Sequence, residues 1–262
     1  AKEGNVAFGT LTSISESKFQ FGLLYAGSDD GKIHVSKDGG VSWQLISVNL
    51  PQNLWVSRVV ASSHKKERVY VTLNGYRNDN FESYAFVSED FGATWTSISN
   101  GLTQAVNVIV EDSANENILY VGTDNGLFIS VDKGANWQDF SNGMPKVAIH
   151  DAVIQTKAKE LIVGTHGRSI YKMDISKVQE LTKDVLAKNL HLFNVNDRTK
   201  SERWGSQNYA WGKPSEPSQT IWFYSNADGI VNVSITNEAG MLVHAQKVEA
   251  KKGLNSFAYD YL

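Results

Sequence analysis

The stretch Ser36-Lys37-Asp38-Gly39-Gly40-Val41-Ser42-Trp43 decides the fold, because the chain repeats its pattern at 88–95 and at 130–137. All three copies read Ser-x-Asp-x-Gly-x-(Ser/Thr/Asn)-Trp. An aspartate can accept hydrogen bonds from the backbone of its own turn, and a glycine adopts backbone conformations that other residues resist. Each copy, here called an Asp turn, is therefore predicted to join two strands. The tryptophan is predicted to pack on the sheet of its own unit. The structural residues are Ser36, Asp38, Gly40, Trp43, Ser88, Asp90, Gly92, Trp95, Ser130, Asp132, Gly134 and Trp137.

The spacing of the Asp turns is typical of a β-propeller. Their aspartates lie 52 and 42 residues apart, and a four-stranded propeller blade takes about 40–45 residues. The longer interval is predicted to hold an insert loop at 75–83. A second repeated pattern precedes each turn, as at 24–31 and 119–126, and it recurs in shorter or looser form at 161–167 and 69–75. Four repeat units follow from these matches, the last without an Asp turn.

The whole chain is predicted to be all-β. We expect a partial propeller of about four four-stranded blades over residues 1–175, a helical linker over 176–189, and a small Ig-like β-sandwich over 190–262. Residues 176–188 (SKVQELTKDVLAK) have apolar positions at helical spacing, and Ser176 is a candidate cap. Short strands separated by turn signals after residue 217 predict the sandwich.

Composition narrows the function. The 262 residues are 41% hydrophobic and 20% charged with a formal net charge of -3, which is ordinary globular composition. The sequence has no basic block, which argues against nucleic acid as a partner. No apolar run approaches the roughly 20 residues needed to span a bilayer. The absence of cysteine excludes disulfides, thiol catalysis and cysteine-ligated metals.

The repeats resemble a known family. The stretches GLLYAGSDDGKIHVSKDGGVSW, YRNDNFESYAFVSEDFGATW, ILYVGTDNGLFISVDKGANW and LIVGTHGRSIYKMD are similar to the sortilin-like, Asp-box (BNR-type) propellers of large secreted bacterial proteins, often labelled glycosyl hydrolases. Residues 191–255 resemble the sandwich that follows the propeller there. The resemblance implies a complete propeller of six or more blades. We therefore expect this chain to be the C-terminal portion of a longer secreted, periplasmic or cell-surface protein, with the remaining blades supplied by an N-terminal part or another chain.

Blade geometry predicts where a site lies. The Asp turns join third and fourth strands, so they share one rim. The turns between second and third strands and the links between blades share the other rim, where loops on a rigid scaffold form sites. The Tyr76–Phe81 segment is either a patch that contacts a sugar, peptide or partner domain or an exposed hairpin. His166 and Arg168 are either a basic pair for a carboxylate or a brace for their turn. The candidate ligand-binding residues are Trp55, Arg58, Tyr76, Arg77, Asp79, His166 and Arg168.

The sequence does not define an active site. A glycosidase normally places two carboxylates about 5–10 Å apart, and none of the rim carboxylates forms a pair that the sequence can place. The aspartate turns at 29–30 and 124 fall short of the oxygen ligands that Ca²⁺ needs. We therefore expect no catalytic residues in this chain, and no metal or cofactor. The rim carboxylates are Asp29, Asp30, Asp79, Glu82, Asp124 and Asp151.

Two functions remain open. The first is an extracytoplasmic binding or scaffold module that recognises a protein or glycan through the propeller face. The alternative is part of a BNR-type glycoside hydrolase, sialidase-like or xyloglucanase-like, whose activity would need the full-length protein. A polar and aromatic loop at 196–217, with Arg203, Trp204, Tyr209 and Trp211, either stacks a sugar or packs on its neighbour.

Overall fold

A computed structural model describes residues 8–141, 143–199, 201–207, 210–211 and 217–261. Strands make up 47% and helices 4% of the structure, which confirms the predicted all-β class. The chain divides into two compact units, Ala1–Gln179 and Glu180–Leu262. The predicted boundaries at 175 and 190 stay a prediction. Within the described ranges, no helix is long and apolar enough to cross a membrane.

In its described residues, the first unit contains three four-stranded antiparallel sheets and one three-stranded sheet, called blades 1 to 4. Blade 4 therefore differs from the predicted four strands, because no Asp turn returns the chain after its third strand. The strands are, in blade 1, β1 Leu11–Glu16, β2 Leu24–Ser28, β3 Ile33–Ser36 and β4 Gln44–Leu45; in blade 2, β5 Trp55–Ala61, β6 Val69–Gly75, β7 Asn80–Ser88 and β8 Thr96–Ser97; in blade 3, β9 Val106–Glu111, β10 Leu119–Thr123, β11 Gly126–Ser130 and β12 Gln138–Asp139; and in blade 4, β13 Ile149–Gln155, β14 Glu160–Thr165 and β15 Ile170–Asp174.

The predicted insert loop at 75–83 is mostly strand. β6 continues to Gly75, a single 3-10 turn covers Tyr76–Asn78, and β7 starts at Asn80. Asp79 ends the turn with a left-handed φ of 54°. The extra residues therefore lengthen a hairpin and leave a short, well-defined tip.

The helix predicted over 176–188 is instead two short helices, α1 Ser176–Gln179 in the first unit and α2 Lys183–Leu186 in the second. Thr182 lies between them with an extended ψ of 166°, and its side chain accepts a hydrogen bond from the Val185 amide at 3.3 Å. An extended N-cap residue begins a new helix and so interrupts the old one. Ser176 is not a cap, because it is the first residue of α1 and its own amide donates to Asp174 Oδ1 at 2.7 Å.

Glycines in the second strands let the blades approach closely. A Cβ built on Gly27 would lie 2.3 Å from Val56 Cγ1, and one on Gly122 would lie 2.5 Å from Ile149 Cγ2. In both cases the contacted residue belongs to the first strand of the next blade. The buried aliphatic side chains of one blade therefore pack directly on the glycine backbone of the preceding blade. This close packing fixes the positions of both rims.

The part of the second unit that the structure describes has five strands in two antiparallel sheets. The first sheet has the order β16-β17-β20, and the second pairs β18 with β19. Phe193, Ile221 and Phe223 are buried in this unit. The strands are β16 Leu190–Leu192, β17 Ser218–Ser225, β18 Gly229–Thr236, β19 Leu242–Ala250 and β20 Gly253–Asp260.

Candidate functional site

The three Asp turns share one hydrogen-bond pattern. In the second, Ser88 Oγ donates to Asp90 Oδ1 at 2.7 Å and accepts from the Gly92 amide at 2.7 Å. Asp90 also accepts from the Thr94 amide at 2.8 Å and from Thr94 Oγ1 at 2.6 Å. The turns at 36–43 and 130–137 repeat these contacts. Each carboxylate is thus committed to its own turn.

These hydrogen bonds lower the pKa values of the turn aspartates. Donation from Ser42 lowers the pKa of Asp38 to about 2, and donation from Thr94 lowers that of Asp90 to about 2. At Asp132, burial raises the pKa, but the hydrogen bonds from Asn136 outweigh it and the net pKa is lowered. Carboxylates held ionised in this way are poor general acids.

The lowered pKa values give a pH dependence with a definite sign. A carboxylate whose pKa is lower in the folded state stabilises the fold above its unfolded pKa, about 3.9 for aspartate, and loses that contribution as pH falls toward the folded pKa. We expect the free energy of unfolding, from urea titrations, to fall as pH is lowered from about 4 to about 2. Asp90→Asn should be less stable at pH 6 and show a shallower fall, and Asp38→Asn should behave alike. If the variants lose as much unfolding free energy between these pH values as the wild type does, the Asp turns are not the cause of the pH dependence.

Two of the turn tryptophans also bond the preceding blade, which the sequence did not predict. Trp95 Nε1 donates to the Ile46 carbonyl at 2.8 Å, and Trp137 Nε1 donates to the Ile98 carbonyl at 2.6 Å. Both acceptors belong to the preceding blade, so these tryptophans connect blades. Trp43 instead donates to Gly40 in its own turn at 3.1 Å and is 42% exposed.

The two rims lie as the strand order predicts. On the rim opposite the Asp turns, the turns between second and third strands form hydrogen bonds with the segments that link one blade to the next. The Asp124 amide donates to the Ala105 carbonyl at 3.1 Å, and the His166 amide donates to the Ala148 carbonyl at 2.8 Å. The Asp turns bond the turns between first and second strands, as where the Phe91 amide donates to the Glu67 carbonyl at 2.8 Å.

On the opposite rim, four side chains from blades 1 and 2 form what we call the rim cluster: Trp55, Tyr76, Arg77 and Asp29. The Trp55 and Tyr76 rings lie 5.8 Å apart, and the Arg77 guanidinium lies 4.9 Å from the Trp55 ring centre. Arg77 Nη1 lies 3.4 Å from Asp29 Oδ2, and Arg77 Nε donates to the Tyr76 hydroxyl at 3.2 Å. That hydrogen bond outweighs the effect of burial and raises the pKa of Arg77, and the charge of Asp29 adds to the rise. The cluster offers an exposed tyrosine beside a fixed cation.

Buried polar groups hold the rim cluster from both sides. Asp29 is buried and accepts hydrogen bonds from the amides of Gly9 at 2.7 Å and Thr10 at 2.8 Å. The Tyr76 amide donates to Asn74 Oδ1 at 2.9 Å, and Asn74 in turn donates to Asn107 of blade 3 at 2.7 Å. The sequence places Asp29 in a turn and among the rim carboxylates, but no sequence signal links it to an arginine in the next blade.

The other predicted site residues lie elsewhere. Arg58 forms an ion pair with Asp151 at 2.7 Å, which joins β5 to β13. The His166 ring lies edge-on to His150 at 5.3 Å between ring centres, and Arg168 is exposed. His150 and Asp151 are neighbours on β13 and meet different partners, as expected where successive side chains of a strand point to opposite faces. Of the predicted residues, the structure brings together Trp55, Tyr76 and Arg77.

The rim carboxylates mostly hold local structure. Asp30 is buried and pairs with Lys32 at 2.7 Å, and Asp124 accepts from Asn107 at 2.8 Å. A groove of about 320 Å³ along the first strands is lined by two further carboxylates, Glu16 and Glu111. Glu111 is buried and hydrogen-bonded to Ser62, and the Gly22 amide donates to Glu16. These hydrogen bonds and ion pairs give the carboxylates a structural role in the fold.

The aromatic loop of the second unit packs within that unit. Trp204 stacks on Tyr261 with 5.4 Å between ring centres, and Arg198 Nε donates to Gln219 at 3.1 Å. Trp211 is exposed. Tyr209 lies outside the described residues.

Comparison with known proteins supports the propeller class. No family model and no curated protein matches the chain. Among solved structures it is similar to the Niastella koreensis GH74 enzyme (16% identity, 64% of this chain and 29% of that chain, TM-score 0.54), an ancestral GH74 enzyme (14%, 94% and 33%, 0.52) and the GH74 xyloglucanase of Xanthomonas campestris (13%, 80% and 35%, 0.51). At such identities the likeness shows the fold, a partial β-propeller. The chain spans about a third of the length of these structures.

Proposed function

We propose that this chain is an extracytoplasmic binding module that recognises a glycan through the rim cluster. The observation that carries the proposal is the exposed Tyr76 ring held beside the Arg77 guanidinium. An aromatic ring presents an apolar face for the C–H groups of a sugar, and a guanidinium donates hydrogen bonds to its hydroxyls or carboxylates. Because buried hydrogen bonds fix the cluster in advance, little ordering opposes binding. A protein ligand at the same rim is the competing outcome.

The alternative is part of a glycoside hydrolase of the BNR type, sialidase-like or xyloglucanase-like. The GH74 structures that share the fold, one of them named a xyloglucanase, favour it. Against it stands the use of the described rim carboxylates Asp29, Asp30, Asp124 and Asp151 in turns and ion pairs. Catalysis would then depend on residues beyond this chain.

The proposal places the chain in a secreted, periplasmic or cell-surface protein. It also assigns the remaining blades of a ring to an N-terminal part of that protein or to another chain. The chain covers only about a third of the GH74 structures, which supports this assignment.

Tyr76→Ala is expected to weaken glycan binding about five- to tenfold, since a tenfold change corresponds to about 1.4 kcal/mol and a lost stacking contact to about 1 kcal/mol. The measurement is a glycan array followed by calorimetric titration with the best binder, with xyloglucan and sialyllactose included as defined probes. Phe21→Ala is the matched control, because Phe21 is an exposed aromatic in the turn between β1 and β2, on the rim of the Asp turns.

Unchanged binding by Phe21→Ala and weakened binding by Tyr76→Ala and Arg77→Ala would support the proposal. A wild-type chain that binds no glycan, or an equal loss of binding in Tyr76→Ala and in the control Phe21→Ala, would contradict it. Release of reducing sugar from xyloglucan would favour the hydrolase alternative.

A further inference from the structure

The same contact joins blade 1 to blade 2 and blade 2 to blade 3. The first residue after the fourth strand, Ile46 in blade 1 and Ile98 in blade 2, is buried under the Asp turn of the following blade. Its carbonyl accepts the tryptophan N–H, and its side chain fills the space beside the turn glycine. A Cβ on Gly92 would lie 2.4 Å from Ile46 Cδ1, and one on Gly134 would lie 2.9 Å from Ile98 Cβ. Tryptophan and glycine of each turn thus act together as a socket for one isoleucine.

Blade 1 has the same socket residues without the isoleucine. Gly40 has the positive φ of its counterparts, 91°, but the nearest atoms to its Cβ position, at 3.7–4.0 Å, belong to Trp43 and Leu24 of its own blade. Trp43 donates its N–H back to the Gly40 carbonyl and is 42% exposed. No residue in the described part of the chain occupies this socket.

The first strand of blade 1 has an uncovered face that matches a covered one in the next two blades. Leu11 and Ile14 are 65% and 66% exposed. By strand register they correspond to Val56 and Val59 in blade 2 and to Val106 and Ile109 in blade 3, all of which are buried. Val56 and Val59 are buried by the second strand of the preceding blade, where a Cβ on Gly27 would lie 2.3 Å from Val56 Cγ1 and 3.1 Å from Val59 Cγ2.

We infer that Leu11, Ile14, Gly40 and Trp43 bind the flank of a further four-stranded blade, which inserts an aliphatic residue after its fourth strand into the Trp43 socket. The carbonyl of that aliphatic residue accepts a hydrogen bond from the Trp43 N–H. A small residue in the second strand of the further blade covers Leu11 and Ile14. This inference rests on the proposed completion of the ring by further blades and names the chemistry of the contact. The surface continues an interface that the chain already uses twice.

A second copy of the chain does not fit the socket. The other end of the array is blade 4, which has three strands within the described ranges and therefore offers no residue after a fourth strand. The occupant is a four-stranded blade like blades 1 to 3.

The test compares the full chain with an extended chain in which a copy of residues 55–104 replaces residues 1–9. The junction at Thr10 keeps the natural link, because the Thr10 carbonyl accepts the Asp29 amide at 3.0 Å as the Ala105 carbonyl accepts the Asp124 amide at 3.1 Å. Both chains are labelled with 5-fluorotryptophan, and Trp43→Phe assigns the Trp43 fluorine resonance. Solvent exposure of each tryptophan is measured as broadening by a soluble paramagnetic agent.

In the extended chain the broadening of Trp43 should fall to the level of Trp95 and Trp137. Ile98→Asp in the appended copy alone should restore it. The appended copy could dock, as shown by compact sedimentation and higher thermal stability, while Trp43 stays exposed. That result would refute the occupation of the Trp43 socket but would leave the completion of the ring by further blades standing. An appended copy that tumbles independently would overturn both, and dimers of the full chain that shield Trp43 would overturn the choice of occupant.

Discussion

Glu111→Ala is expected to destabilise the first unit by about 3–5 kcal/mol, because it leaves three hydrogen-bond donors of blade 2 without an acceptor, at about 1–3 kcal/mol each. Glu111 and Arg68 are both buried, with 3.4 Å between the Arg68 Nη1 and Glu111 Oε1 atoms. The same carboxylate accepts hydrogen bonds from Ser62 Oγ at 2.8 Å, the Ser63 amide at 2.6 Å and the Tyr70 hydroxyl at 3.0 Å. Alanine would leave these donors of blade 2 facing an apolar gap. Domains are stable by only about 5–15 kcal/mol, so this is a large fraction.

The measurement is urea unfolding followed by far-ultraviolet circular dichroism, and the chain provides its own control. Glu16 occupies the register position in blade 1 that Glu111 occupies in blade 3, since each pairs with the leucine that opens the second strand. Glu16 is exposed, and its carboxylate accepts a hydrogen bond from the Gly22 amide. Glu16→Ala should therefore cost about 0.5–1 kcal/mol. A loss below about 1 kcal/mol in Glu111→Ala, or equal losses at both positions, would contradict the argument.

The contrast between Glu16 and Glu111 shows what a repeat pattern can predict. The pattern places both residues at the end of a first strand, and its period predicts the strands, the Asp turns and the two rims. Burial depends on whether another blade lies alongside, and that is a contact between residues more than 40 positions apart, as between Ser62 and Glu111. The sequence therefore predicted the blades well and gave no sign that two of the turn tryptophans also bond the preceding blade.

The sequence predicted the individual residues of the candidate site but not which of them lie together. Trp55 opens a strand and Tyr76 follows the next one, so their shared rim follows from strand order. The predicted partner of His166 was Arg168, whereas the His166 ring lies beside His150 of β13. Strand alternation gives no signal for that contact, because it joins a residue of one strand to the turn that follows the next strand.

Trp137→Ala is the second large effect, an expected loss of about 3 kcal/mol in the free energy of unfolding. Large-to-small changes of aromatic residues in cores cost about 3–5 kcal/mol, and the lower end applies because the indole is only partly buried. It packs on the cluster that contains Ile98 and Ile109, and its N–H bonds the Ile98 carbonyl at 2.6 Å. Trp137→Phe keeps the apolar contact and should lose about 1 kcal/mol through the hydrogen bond alone.

Trp43→Ala removes the same residue from the same motif and should cost about 0.5 kcal/mol, because Trp43 lacks a preceding blade in the described chain and bonds only its own turn. Urea unfolding of the three variants at pH 7 separates the causes. Equal losses at Trp43 and Trp137 would mean that the tryptophan stabilises its own turn, as the sequence suggested. A large loss at Trp137 alone would mean that it stabilises the fold by joining two blades, since the turns themselves have matching hydrogen bonds.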